Sequence, residues 1–254
     1  MEKKKVLKNQ EKRVTIVCCY NNKEQYGIFV ESLKNQTMPY DLIGIDNSNQ
    51  KYESCSRAYN SVISRIGTEY VIFSHQDIIL DEVVVLEQFV THLERIEQFD
   101  ILGVAGAKAG EKRIFTNIHN GKGKFAGEER IVDMQEYDTV DECFFGGTRE
   151  CFERYPFDEV LCDDWHLYAV ERCLNAKVNG HKVYACGSSM IHNSVGRISH
   201  GFNVNLYKIC KKYAGSFKQL RTTCANTRTD LVGRALYYFR REIRVWIEKH
   251  FVYK

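Results

Sequence analysis

Three short runs of apolar, mostly β-branched residues open the chain, and each stops abruptly at polar side chains. Residues 14–20 break at Asn21-Asn22, residues 42–45 end in Asp46-Asn47-Ser48, and residues 70–73 lead through Ser74 into His75-Gln76-Asp77. Between the first two, Tyr26, Phe29, Val30 and Leu33 recur at helical spacing until Pro39. Between the second and third, residues 56–66 are helical in pattern and Gly67 closes them. Strand, helix, strand, helix, strand is the pattern of a parallel sheet with helices on its faces and right-handed crossovers. It predicts an α/β, Rossmann-like, mixed but mainly parallel sheet. All three polar strand ends then lie on one edge, where open α/β sheets bind ligands.

Several function classes are excluded. No Gly-x-Gly-x-x-Gly follows the first run and no Walker sequence is present, which disfavours dinucleotide and P-loop nucleotide binding. No run reaches the length of a membrane span. Met1-Glu2-Lys3-Lys4-Lys5 is basic but lacks the apolar stretch of a signal peptide. The ten cysteines include no CxxC pair and sit mostly in apolar context, so reduced, buried thiols of a cytoplasmic protein are expected.

Five segments share an order and spacing with a known family: residues 14–22, residues 31–37, Ile45-Asp46-Asn47-Ser48, Ala58-Tyr59-Asn60 and Phe73-Ser74-His75-Gln76-Asp77. They resemble the nucleotide half of a GT-A glycosyltransferase of the family-2 type. The likeness covers roughly the first 80 residues and resumes near residue 143. His-Gln-Asp stands where that family has Asp-x-Asp, which resembles a glycosyltransferase-like sub-group with the same substitution. The resemblance implies that Asp46 receives the nucleobase imide. It places Asp77 on a divalent cation, Mn²⁺ or Mg²⁺, that bridges the diphosphate, with His75 near the ribose and metal. Tyr20, Asn21, Arg57, Asn60 and Gln76 complete the expected donor site. From the residues alone, Asp46 also suits an Asx-turn, Asp77 a helix cap and His75 a structural role.

The resemblance resumes at Cys143-Phe144-Phe145-Gly146-Gly147-Thr148-Arg149-Glu150 and at Phe157-Asp158-Glu159, on the acceptor side. Gly146 and Gly147 are expected to admit a sugar close to the backbone. Asp163-Asp164-Trp165 then opens a helical pattern that ends at Gly180. Inverting transfer needs a base to take the acceptor's proton, here expected to be a carboxylate. By the resemblance Asp164, then Asp163, is the expected base, Glu171 is the candidate in another alignment, and Trp165 is a sugar platform. Either aspartate equally suits a helix N-cap. His192 resembles a third metal ligand. The implied activity is inverting, hexosyltransferase-type transfer from a nucleotide diphosphate sugar, UDP-linked by family frequency, to a glycan or lipid-linked hydroxyl. Two alternatives stay open: a nucleotide-sugar-binding protein without transferase activity, and a metal-dependent nucleotidyltransferase.

Charge divides the chain. Residues 208–254 carry twelve Lys/Arg against three Asp/Glu, while the first 207 residues carry 24 against 30. That sets an expected boundary between a GT-A-like domain, 1–207, and a basic helical tail, 208–254. From residue 231 to 251, apolar residues recur at 232, 236, 239, 243 and 247, with arginines mostly off that stripe. Such a helix either packs its stripe on the body or lies on an anionic membrane, which would make the protein peripheral on the inner membrane face. No nucleic-acid partner is expected.

Overall fold

The computed structural model describes residues 13–121, 123–193 and 199–252; the basic start at residues 1–5 lies outside them. The chain begins with β1 (Val14–Tyr20), α1 (Lys23–Leu33), β2 (Tyr40–Asp46), α2 (Cys55–Asn60) and β3 (Tyr70–Ser74). β4 (Ile78–Ile79) and α3 (Val85–Leu93) follow. A stretch of short strands comes next: β5 (Ile101–Gly103), β6 (Ala105–Ala107), β7 (Phe115–Thr116), β8 (Ile118–Asn120), β9 (Lys124–Phe125), β10 (Met134–Glu136) and β11 (Thr139–Val140). β12 (Phe144–Thr148) leads to α4 (Arg149–Arg154) and α5 (Tyr168–Val178), then to β13 (Val183–Cys186) and β14 (Met190–His192). The chain closes with α6 (His200–Tyr213), a hairpin of β15 (Gln219–Arg221) and β16 (Asn226–Arg228), α7 (Leu231–Ile247) and a π-helical turn, Glu248–Val252.

The central sheet has the order β10-β13-β5-β12-β3-β1-β2. β2, β1 and β3 are parallel neighbours, as are β13 and β5; β12 and β10 run against them. This is the expected mixed, mainly parallel sheet. Side-chain alternation along each strand feeds two cores. Ile16, Cys18, Ile72 and Phe144 pack under α1 and α3, while Val17, Val71, Phe73 and Phe145 pack under α2, α4, α5 and α6. Residues 101–107 divide between two sheets as β5 and β6.

Two sequence expectations change. Gly146 and Gly147 face neighbouring chain, not a sugar: Gly146 lies mid-strand, where an added Cβ would run into the Val71 carbonyl of β3. The 207/208 boundary falls inside α6, and Phe202, Leu206, Ile209 and Tyr213 from both sides of it join one core. The tail therefore begins inside the folded body. Gly146→Ala is predicted to lower stability by roughly 1–3 kcal/mol through overpacking. Gly67→Ala, with nothing within 4 Å of the new methyl group, should be neutral or mildly stabilising. Urea unfolding of the two variants checks this, and equal midpoints would contradict it.

Candidate active site and metal centre

Parallel register brings the three strand ends to one edge. Tyr20 pairs with Asp46 across β1 and β2, and Cys18 pairs with Ser74 across β1 and β3. Gln76 then ties two of the ends together. Its Oε1 accepts from the Asn21 and Asn22 amides at 3.0 and 2.9 Å, and its Nε2 donates to Asn21 Oδ1 at 2.9 Å. Tyr20 stacks on Tyr26 with ring centroids 3.8 Å apart. A cavity of about 240 Å³ opens here, lined among others by Tyr20, Asn21, His75, Gln76, Asp77, Trp165, His166 and Tyr168. A second hollow of about 780 Å³ adjoins it through Asn21, Asn47 and Trp165.

β14 completes the site. It pairs antiparallel with β4, setting His192 opposite Ile78 and beside Asp77. One ligand atom from each of His75, Asp77 and His192 then lies within 4.8 Å of the others, a cluster able to hold a metal among the described residues. His192 Nε2 is 3.3 Å from Asp77 Oδ1, yet it is buried without an aligned hydrogen-bond partner among the described residues. A buried ring nitrogen left in that state is costly, and a cation between the two groups would satisfy both. The residues therefore fit a divalent metal. Tyr168 Oη bonds His75 Nε2 at 2.9 Å, fixing that ring as an outer-sphere partner does. Burial, then the His192 charge, pushes the His75 imidazole below its ordinary value. Burial raises the Asp77 carboxyl, but the close contact and charge of His192, with the charge of His75, bring it below its ordinary range. His192 moves the other way: burial lowers it, and Asp77 raises it further.

The other predicted residues lie elsewhere. Asp46 accepts from Ser48 N at 2.9 Å and Ser48 Oγ at 2.6 Å, with Lys23 Nζ at 3.2 Å. The Ser48 bonds foremost hold its pKa down at about 2. Asn60 is a clamp: it donates to Phe157 O and Glu159 Oε1 and accepts from Phe157 N. Arg57 lies 3.7 Å from both Glu53 and Glu159, in a shallow depression apart from the cavity. Asp163 is exposed and paired with Lys208 Nζ at 2.6 Å. Asp164 accepts from Ser199 Oγ at 3.1 Å. Glu171, 2% exposed, is bonded to Lys212 and Tyr213. None of these three carboxylates lines the cavity. Neither aspartate caps α5, because that helix begins five residues later than Asp163, after Leu167 at φ +70°.

The residue ahead of α5 is held from elsewhere in the chain. Glu142, just before β12, accepts from Leu167 N with Oε2 at 2.6 Å and meets His166 Nδ1 with Oε1 at 2.9 Å. Burial lowers the His166 pKa, but the Glu142 bond and charge, with Asp164 and Asp141 beyond, raise it above the ordinary imidazole value. His166 thus faces the cavity with one nitrogen held and Nε2 left over. A carboxylate 24 residues away in sequence carries no local signal of this pairing.

Comparison with solved structures finds GT-A folds. S. aureus TarS 1-349 in complex with UDP superposes with TM-score 0.52 and 15% identity, over 79% of this chain and 64% of that one. The mannosyltransferase PcManGT from Pyrobaculum calidifontis, in complex with GDP-Man and Mn²⁺, gives 0.57 and 11%, over 83% and 66%. GalNAc-T7 with UDP, GalNAc and Mn²⁺ gives 0.55 and 10%, over 96% and 57%. The chain thus spans less than two thirds of the TarS chain. No curated protein matches the sequence. A family model described as "Glycosyltransferase like family" matches residues 15–193.

The cluster predicts a binding result that needs no turnover. Mn²⁺ titrated into the protein, with free ion followed by electron paramagnetic resonance, should bind at one site. Asp77→Asn and His192→Ala should each weaken it more than ten-fold. Tyr168→Phe, which frees the His75 ring, should cost about 10–100-fold. Unchanged affinity in folded Asp77→Asn protein would remove the cluster from consideration.

Proposed function

This chain belongs to the glycosyltransferase-like family, and from that premise we propose that it transfers a sugar, with inversion, from a nucleoside diphosphate sugar to a hydroxyl of a glycan or lipid-linked acceptor. The observation that carries the reading is the His75–Asp77–His192 cluster, whose His75 and Asp77 line a cavity bounded by three polar strand ends. UDP is the proposed nucleotide, by likeness to TarS and GalNAc-T7, whose structures contain it. Asp77, His192 and His75 would hold a divalent cation. Imidazole in the ligand set favours Mn²⁺ over Mg²⁺. When bound, the cation supplies positive charge against the departing diphosphate. Tyr20 and Asn21 would receive the nucleoside, with Asp46 at the rim for the base.

The acceptor oxygen attacks the anomeric carbon as the bond from that carbon to the diphosphate oxygen breaks, and the bonding pair leaves with the diphosphate. The acceptor's proton needs a base within reach. Asp164 is the base the family resemblance suggests, but its carboxylate is turned to Ser199. We assign the role to His166. Nδ1 held by Glu142 leaves Nε2 to take the proton, and Glu142 stabilises the imidazolium that forms. Trp165, beside it in the cavity wall, is placed to stack on a sugar ring.

The assignment gives two expectations. His166→Ala should lower transfer by about 10²–10⁴-fold while UDP affinity in calorimetry stays within about two-fold, and Asp164→Asn should keep most of its rate. The reverse pattern would return the role to Asp164. Release of UDP identifies sugar transfer, whereas pyrophosphate would identify nucleotidyl transfer.

The second expectation concerns pH. A base acts deprotonated, so the transfer rate should rise as pH climbs through the raised His166 pKa. Glu142→Gln keeps an oxygen for Leu167 N but removes the charge, so its rising limb should move to lower pH as the maximal rate falls. A rate-pH profile with an unmoved limb would exclude the Glu142–His166 pair.

A further inference from the structure

α7 is seated backwards for a helix stabilised by hydrophobic burial. The side facing α6 is aromatic and polar. Tyr238 meets Tyr207 with ring centroids 5.9 Å apart, and the Arg234 guanidinium lies 5.4 Å from the Tyr207 ring centre. Glu242 bonds Asn203 Nδ2 and His200 Nδ1, each at 2.7 Å. The apolar stripe points the other way: Val232 is 62% exposed, Leu236 53%, Phe239 63%, Ile243 59% and Trp246 55%. No residue of α7 is buried. At 100° per residue these five side chains fall within about 80° of arc, and the exposed Arg240 and Arg244 follow on one flank. Contiguous exposed apolar surface of this kind marks a contact site.

We propose that this face of α7 docks the protein on the surface of an anionic lipid bilayer. The stripe enters the headgroup boundary while Arg240 and Arg244 meet lipid phosphates. Two features favour a bilayer over a second copy of the chain. Charge is the first, since the segment from residue 208 onward carries twelve basic groups against three acidic ones. Size is the second. A 17-residue helix is about 26 Å long, so a stripe ~10 Å wide offers on the order of 300 Å², well short of the ~800 Å² that each partner buries in a typical stable protein interface. A bilayer needs no such area, because it takes one amphipathic helix edge-on with cationic residues at its rim. No described helix is long and apolar enough to cross a membrane, so the contact is one of surface docking. The inference does not depend on the transferase reading.

The test is flotation of the full chain with vesicles of 70% phosphatidylcholine and 30% phosphatidylglycerol, against vesicles of phosphatidylcholine alone. Wild-type protein should float with the anionic vesicles at least ten-fold more strongly, and less so at high salt. Phe239→Asp combined with Ile243→Asp should abolish flotation and leave the melting temperature and Mn²⁺ binding unchanged, since both side chains are exposed. Arg240→Gln with Arg244→Gln should weaken it and flatten its salt dependence. Absence of wild-type flotation, or flotation untouched by the paired aspartates, would overturn the proposal. So would a concentration-dependent dimer in sedimentation that the same aspartates dissolve, which would assign the face to a second copy.

Discussion

The site depends first on the level register of β2, β1 and β3. A strand buried on both faces cannot carry a charged group in its middle without a large desolvation cost, so polar chemistry gathers where the strand leaves the sheet. With Tyr20 level with Asp46, and β3 ending at Ser74 opposite Cys18, three exits open onto one edge. Gln76 converts that adjacency into a fixed structure by bonding two backbone amides and one side-chain amide of the neighbouring exit. A one-residue slip in either pairing would reverse the faces of the strand and break both arrangements.

From that edge the metal cluster is one further pairing away. β14 comes from more than a hundred residues later and lies against β4, setting His192 beside Asp77. The two imidazoles and the carboxylate stand close together and largely out of water, which accounts for the opposed pKa directions of His75 and His192. Tyr168, at the first turn of α5, supports His75. The same helix start is stabilised by the Glu142 carboxylate accepting an amide proton, in keeping with a helix N-terminus favouring negative charge. One glutamate therefore holds the start of the helix that carries Tyr168 and orients the His166 imidazole beside it, so His75 and His166 share a mechanical support.

At the other end of the chain the balance of forces differs. α6 belongs to the core through Phe202, Leu206, Ile209 and Tyr213, whereas α7 is attached by aromatic edges and by the hydrogen bonds of Glu242. Its apolar side is left in solvent, where its burial would be worth about 25 cal/mol per Å² to whatever covers it.

The sequence by itself determined the α/β class, the three polar strand ends, the family and the candidacy of Asp77 and His192, because alternation, helical period and short motifs are local properties. It also determined that α7 is amphipathic. Tertiary structure decided the rest. Arg57 and Asn60 have the composition of ligand-binding residues but are engaged by Glu159 and Phe157. Asp163 and Asp164 have the look of a helix start, yet the helix begins only at Tyr168, and the Leu167 amide ahead of it is bonded by Glu142 from the turn before β12. Gly146 is required by the carbonyl of a neighbouring strand, and the outward turn of α7's stripe is set by what α6 presents to it. Each of these depends on a partner distant in sequence, and pairing at a distance leaves no periodic trace in a single chain.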